Sequence, residues 1–322
     1  MLTLYAYQKD KGFNRIEDLG KISDLIAEPG SVVWLDALSP DRKEMDFLAA
    51  EFGFHPLAIE DYFTPHARPK IDEFPDYYFL VTQTISYDPD TAEISTTEFD
   101  LFVGKNYIVT IHEKPNPILE KAAGTWQKDP RLLGEGSGML LYDILDGLVD
   151  SYFPVLDQVE DQLDVIEDEI FARRSSASAE RIFRTKRSLL MFRRTATPLR
   201  DVLNALIRRD QPLLSEQSIT YLRDVYDHML RVVDSIDTYR DILTGALDAY
   251  LTVISNQLST VMKTLTVVAT ILISVTVITG NYGMNFVYMP ELHWRYGYPF
   301  ALGLMVVISL TLLYYFKRIK WL

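Results

Sequence analysis

Two stretches of this chain, residues 264–290 and 296–316, contain no charged residue. A helix needs roughly 20 apolar residues to cross the hydrocarbon core of a bilayer. The segments VVATILISVTVI (267–278) and FALGLMVVISLTLLYYF (300–316) supply the apolar centres of two such helices. A core helix of a soluble domain turns one face to water and seldom stays uncharged for so long. The chain is therefore expected to cross a membrane twice, close to its C-terminal end.

Flanking charge sets the expected orientation. Lys263 precedes the first run, and Lys317, Arg318 and Lys320 follow the second. The loop between them carries Glu291, His293 and Arg295. Positive residues stay on the cytoplasmic side. The expectation is a multi-pass protein of the plasma membrane, a prokaryotic inner membrane, with both termini cytoplasmic. The opening MLTLYAYQKD lacks a basic region followed by an apolar one, so no signal peptide is expected.

Net charge is -13. From Lys263 onward there are five basic residues and one acidic, which leaves the preceding part at -17. Such a domain suits cations and excludes nucleic acid as a partner, because phosphates need a basic surface. With no cysteine in the chain, disulfides and thiolate metal ligation are excluded.

Residues 1–135 read as an α/β domain. LTLYAY (2–7), SVVWLDA (31–37), YYFLVTQTISY (77–87), EFDLFVG (98–104) and NYIVTIHE (106–113) are rich in β-branched and aromatic residues and are bounded by turn formers. Ser39-Pro40-Asp41 is expected to open a helix with Pro40 just inside it, and Gly53 to stop it. Residues 136–214 read as a cytoplasmic hairpin of an acidic helix and a basic helix. Leu140, Leu141, Ile144, Leu145 and Leu148 recur at helical spacing, and carboxylates crowd the stretch to about Phe171. Residues 215–281 contain no proline and only Gly245 and Gly280 as glycines. They read as one long helix, roughly 100 Å at 1.5 Å per residue, running into the first membrane segment. An external loop (282–297), a second membrane helix (298–317) and a basic cytoplasmic tail (318–322) complete the expected order.

Between the two uncharged runs stands Tyr282-Gly283-Met284-Asn285-Phe286. After it come Met289-Pro290-Glu291-Leu292, Trp294 and Tyr296-Gly297-Tyr298-Pro299, then the second run and the ending Lys320-Trp321-Leu322. Upstream are His55-Pro56-Leu57, Glu60-Asp61, Arg68-Pro69-Lys70 and Arg223-Asp224-Val225-Tyr226-Asp227-His228. In this pattern the chain resembles the CorA family of divalent-cation channels over essentially its whole length. The resemblance implies a funnel-shaped homopentamer in the lipid bilayer, with one pore-lining helix from each subunit. Physical reasoning agrees on one point: two membrane helices cannot enclose a pore alone.

The resemblance implies Mg²⁺ as both the transported and the regulatory ion. Mg²⁺ holds its water octahedron tightly, so a pore can select it hydrated. That needs neutral acceptors for water hydrogens: the Asn285 amide oxygen and the carbonyls of Gly283 and Met284. Gly283 is expected to let the backbone leave helical geometry there. Ser259, Met262, Leu265, Ala269, Ile273, Thr276 and Gly280 follow at spacings of three and four on one helical face. Such a face packs against other helices or meets lipid; by resemblance it lines the pore. Met262 and Leu265 would then gate by dewetting, with Thr276 a polar way station. Family members often carry Asn where this chain has Ser259, and many have Met-Pro where it has Ile273-Ser274. The regulatory positions implied are Glu60 and Asp61 in one subunit, with Asp146 and Asp224 in the neighbour and His228 nearby. Bound Mg²⁺ would bridge acidic domains that otherwise repel.

Two other readings compete. Zinc transporters of the ZntB type carry Gly-Ile-Asn or Gly-Val-Asn more often than Gly-Met-Asn, and zinc favours Cys and His. Co²⁺ and Ni²⁺ resemble Mg²⁺ as hexahydrates, so cobalt transport accompanies magnesium in this reading. The other alternative is a membrane-anchored cation sensor. The sequence holds no P-loop, G-x-G-x-x-G, G-x-S-x-G or HExxH motif, and no enzyme activity is expected. A channel driven by membrane potential, at about 2.3 kcal/mol per charge per 100 mV, needs none.

Overall fold

The computed structural model describes residues 1–64, 68–128, 136–172, 177–208, 213–287 and 289–321. They fall into two units, Met1–Ala246 and Leu247–Leu322. The first is built on a mixed sheet of β1 (Leu2–Gln8), β2 (Gly12–Ile16), β3 (Val32–Leu38), β4 (Lys70–Glu73), β5 (Tyr77–Asp88), β6 (Glu93–Gly104) and β7 (Tyr107–His112). The strand order is β2-β1-β3-β7-β6-β5-β4. The central β3–β7 pair is parallel and every other pair antiparallel.

Register places side chains in rows across the sheet, because residues directly opposite one another share a face. One row is Leu4, Leu35, Val109, Phe102 and Phe79. It is buried under α1 (Ile22–Ala27), α2 (Arg42–Phe52) and α3 (Pro56–Tyr62), which contribute Ile22, Leu25, Met45, Leu48, Ala58 and Ile59 to the same core. The next row on that face is Ala37, Ile111, Asp100, Val81 and Lys70, so a carboxylate stands between Ile111 and Val81.

The start of α2 differs from the sequence expectation. Asp41 is the N-cap, accepting from the Glu44 backbone N–H while Glu44 accepts from the Asp41 N–H; Pro40 lies before the helix. A reciprocal capping box satisfies two otherwise orphaned donors, which proline at the first position cannot do. Gly53, at φ 71°, ends the helix in the left-handed region that an L side chain avoids.

The helices that follow are α4 (Pro117–Lys128), α5 (Gly138–Asp150), α6 (Phe153–Phe171), α7 (Ala177–Leu206) and α8 (Glu216–Tyr282). Helices α6 and α7 are neighbours, with Arg181 of α7 3.4 Å from Glu169 of α6. Both lie against the sheet. Tyr152 donates its hydroxyl to the Gln83 carbonyl of β5 at 2.5 Å, and Thr195 of α7 donates to the Gln83 side chain.

The second unit holds the C-terminal part of α8, a 3-10 turn (Pro290–His293) and α9 (Gly297–Arg318). Both α8 and α9 contain a stretch long and apolar enough to cross a membrane, and few residues of those two stretches are buried. Hydroxyls along α8 are bonded back to its own carbonyls, including Thr266 to Met262, Thr270 to Thr266, Ser274 to Thr270 and Thr276 to Leu272. Polar side chains in an apolar medium need such internal partners.

Candidate cation sites

Helices α5 and α8 meet at a position where only a hydrogen side chain fits. A Cβ on Gly138 would stand 2.4 Å from the Ser218 Oγ and 2.7 Å from its Cβ. Above this crossing the helices advance together. Tyr142 and Tyr221 have ring centroids 5.1 Å apart. Further along, the ligand atoms of Asp146, Asp150 and His228 lie within 4.8 Å of one another. Asp224, one turn before His228, sets its Oδ2 3.7 Å from the His228 Nε2. The i, i+4 spacing of Asp146 with Asp150, and of Asp224 with His228, puts each pair on one helical face.

This cluster carries an electrostatic cost. Burial pushes the Asp146 carboxyl above its ordinary value; Asp150 adds to the effect, and His228 partly offsets it. Tyr142 is likewise pushed up, by burial first and then by Asp146 and Asp224. The His228 Nδ1 is buried with no hydrogen-bond partner. Mutually repelling carboxylates beside an unpartnered imidazole nitrogen form a donor set that a divalent cation would relieve.

Glu60 and Asp61 lie elsewhere within the chain, on α3. Glu60 is exposed. The Asp61 Oδ2 is 2.5 Å from the Lys70 Nζ, and Lys70 also reaches Asp72 at 2.8 Å. Any cation taken by Asp61 therefore competes with an ammonium already in place.

At the membrane end, α8 finishes at Tyr282, and the Gly283 N–H still bonds the Thr279 carbonyl at 2.9 Å. The chain leaves the helix at Gly283 without entering the left-handed region. A Cβ there would stand 3.1 Å from the Thr279 oxygen, a tight contact that glycine avoids. Gly283, Met284 and Asn285 are exposed. Among the described residues, the Asn285 amide makes no hydrogen bond, so its oxygen is available to bound water.

The face of α8 bearing Ser259, Met262, Leu265, Ala269, Ile273, Thr276 and Gly280 is exposed in the single chain except at half-buried Ala269. Met262, Leu265 and Ile273 are 54%, 59% and 63% exposed, whereas Val267 and Ile278 are 2% and 9%. At 3.6 residues per turn the buried pair lies roughly 180° around the helix from this face. On α9 the buried residues are Gly297, Ala301 and Phe316. The stripe is thus the side of α8 that its own chain leaves uncovered.

The CorA-like Mg²⁺ transporter protein family matches residues 29–318. The chain belongs to the CorA family. The cobalt/magnesium transport protein CorA of Thermotoga maritima is 38% identical over 291 residues, spanning 90% of this chain and 83% of that protein. Its namesake in Methanocaldococcus jannaschii is 31% identical over 325 residues, the full length of both. The complete structure of the CorA magnesium transporter from Methanocaldococcus jannaschii superposes with a TM-score of 0.84 at 27% identity, covering 100% of this chain and 99% of that one. The CorA family is one of transporters.

Of the regulatory residues expected from sequence, Asp146, Asp224 and His228 come together within one chain, and Glu60 and Asp61 do not join them. Asp150 was not among the expected site residues. Its position four residues after Asp146 on an amphipathic helix was the available signal.

Proposed function

We propose that this CorA-family chain is a membrane channel for Mg²⁺, and for Co²⁺ of similar hydrated size, built from five copies. The observation that carries the reading is the pairing of α8 and α9, both apolar enough to span a bilayer, on either side of an exposed Gly283-Met284-Asn285. The homologues named for cobalt and magnesium transport support the choice of ions.

In this reading five Asn285 amides and the neighbouring carbonyls hold the water shell of the ion rather than the ion itself. The uncovered face of α8 lines the path. Thr276 donates its hydroxyl hydrogen to Leu272, so its oxygen points only acceptor capacity at passing water. Met262 and Leu265 form an apolar constriction whose dewetting closes the pore, and Ser259, Ala269, Ile273 and Gly280 complete the wall. Residues 1–135, 136–214 and the part of 215–281 before the membrane are cytoplasmic, as is the basic tail 318–322; the loop 282–297 faces outward.

Regulation follows from the acidic cytoplasmic part. Mg²⁺ held by Asp146, Asp150, Asp224 and His228, and approached by Glu60 and Asp61 of a neighbouring copy, offsets repulsion between domains and favours closure. Loss of the ion restores the repulsion and favours opening.

The test is uptake into proteoliposomes under an inside-negative potential, with Mg²⁺, Co²⁺ and Zn²⁺ offered separately. Entry of Mg²⁺ and Co²⁺ is expected. Entry of Zn²⁺ in preference to both, or flux of none, contradicts the proposal.

A further inference from the structure

The row of side chains that crosses the sheet beneath α3 ends at the half-buried Lys70 and contains one fully buried polar residue. Asp100 is 2% exposed, and its Oδ1 is buried without a hydrogen-bond partner. It is flanked on the same face by Val81 and Ile111. Burial pushes its carboxyl well above the ordinary range; Glu98 adds to this, and Lys70 opposes it. Lys70 gives little direct relief, because its ammonium is bonded to Asp61 and Asp72. A buried carboxyl left so incompletely paired is costly unless something else answers it.

Asp100 lines a cleft of about 350 Å³ together with Tyr62 at the end of α3, Glu98 on β6 and Glu113 just after β7. Its lining sets three carboxylates, Glu98, Asp100 and Glu113, against one ammonium, Lys114, while the His112 ring is already held by Asp36 and the Lys114 carbonyl; the surplus of carboxylates favours a cation over an anion. Tyr62 senses the same field: burial, then Asp100 and Glu113, push its phenol to about 12.

We infer that this cleft is a cation site separate from the α5–α8 cluster, taking a hydrated divalent cation between Asp100, Glu113 and Tyr62. The donors are all hard oxygens. Among the described residues, Asp146, Asp150 and His228 are the group of three whose ligand atoms lie within 4.8 Å. The carboxylates of the cleft are therefore spaced more widely than a bare ion requires. They suit an ion that keeps its water, as Mg²⁺ does. Six waters at about 30 Å³ each need roughly 180 Å³, which the cleft accommodates. The inference does not depend on whether the chain conducts.

The test uses the full chain in detergent with Mn²⁺ as the probe, counting free Mn²⁺ by its electron paramagnetic resonance signal. Asp100→Asn, which keeps the shape, is expected to lose one binding equivalent per chain. Glu113→Gln, at an exposed position with no risk to the fold, is expected to weaken that equivalent several-fold. Both losses should persist when Asp146→Asn and Asp150→Asn are also present, which separates this site from the helical cluster. Binding curves for Asp100→Asn and Glu113→Gln that superimpose on the parent overturn the proposal. Should Asp100→Asn fail to fold, the Glu113→Gln curve decides alone.

Discussion

His228 holds its Nε2 3.7 Å from the Oδ2 of Asp224, one turn earlier on the same helix, while Asp146 and Asp150 approach it from α5. Two helices thus present three carboxylates to one imidazole. A cation that binds only the folded protein stabilises it by about 2.7 kcal/mol at 100 times its Kd. Mg²⁺ should therefore raise the melting temperature of the parent by more than that of the Asp146→Asn, Asp150→Asn double variant. An equal rise in both removes the cluster as a binding site.

Gly138 sets the register of those helices. Gly138→Ala forces a methyl against Ser218, and overpacking of this kind costs about 1–3 kcal/mol. Ser218→Gly in the same chain should recover most of the loss, because it removes the atoms that clash. Chemical denaturation of the single and double variants checks this. No recovery means that the contact is not what limits the approach of α5 to α8.

A second imidazole is structural. The His112 ring faces two oxygens: Nδ1 lies 2.5 Å from the Lys114 carbonyl and Nε2 3.0 Å from the Asp36 Oδ1. Burial opposes the imidazolium, but the hydrogen bond and charge of Asp36 outweigh it and raise the pKa. The stabilisation is therefore complete below the ordinary imidazole value of about 6.5 and is lost as pH rises through the raised value. Asp36→Asn should be destabilised at pH 6, by about 3 kcal/mol if it behaves as a broken buried pair, and by less at pH 9. Urea melts at the two pH values measure the difference; a pH-independent loss contradicts the assignment.

The strands in the middle of the sheet were legible because β3, β5, β6 and β7 are buried and carry β-branched and aromatic runs. The two that escaped, β2 (GFNRI) and β4 (KIDE), are the two edges of the sheet. Edge strands are kept short and polar, so hydrophobic pattern alone does not reveal them. The proline-free segment that became α8 was legible for the opposite reason, since nothing in it interrupts a helix. At the candidate sites, the acidic and histidine residues could be named from the resemblance. The Asp150 contribution depends on a contact between α5 and α8, far apart in sequence, and the Lys70 hold on Asp61 depends on how the consecutive elements α3 and β4 pack, so no periodic pattern encodes either.

The chain has no cysteine, so single cysteines report without background. Thr276→Cys lies on the uncovered face of α8 and Val267→Cys on the buried one. In reconstituted protein a small water-soluble thiol reagent should modify Thr276→Cys and reduce Mg²⁺ flux, and leave Val267→Cys unmodified. Equal modification of both, or of Val267→Cys alone, places the water path on another face.

The most direct test of the whole account is Mg²⁺ entry into proteoliposomes under an inside-negative potential, for the parent and for Asn285→Ala. The account predicts rapid entry for the parent and, in a variant that still assembles, flux reduced by at least about tenfold, equivalent to about 1.4 kcal/mol in the limiting step. Equal Mg²⁺ entry in parent and variant contradicts it, because the exposed Asn285 would then contribute nothing to holding the hydrated ion.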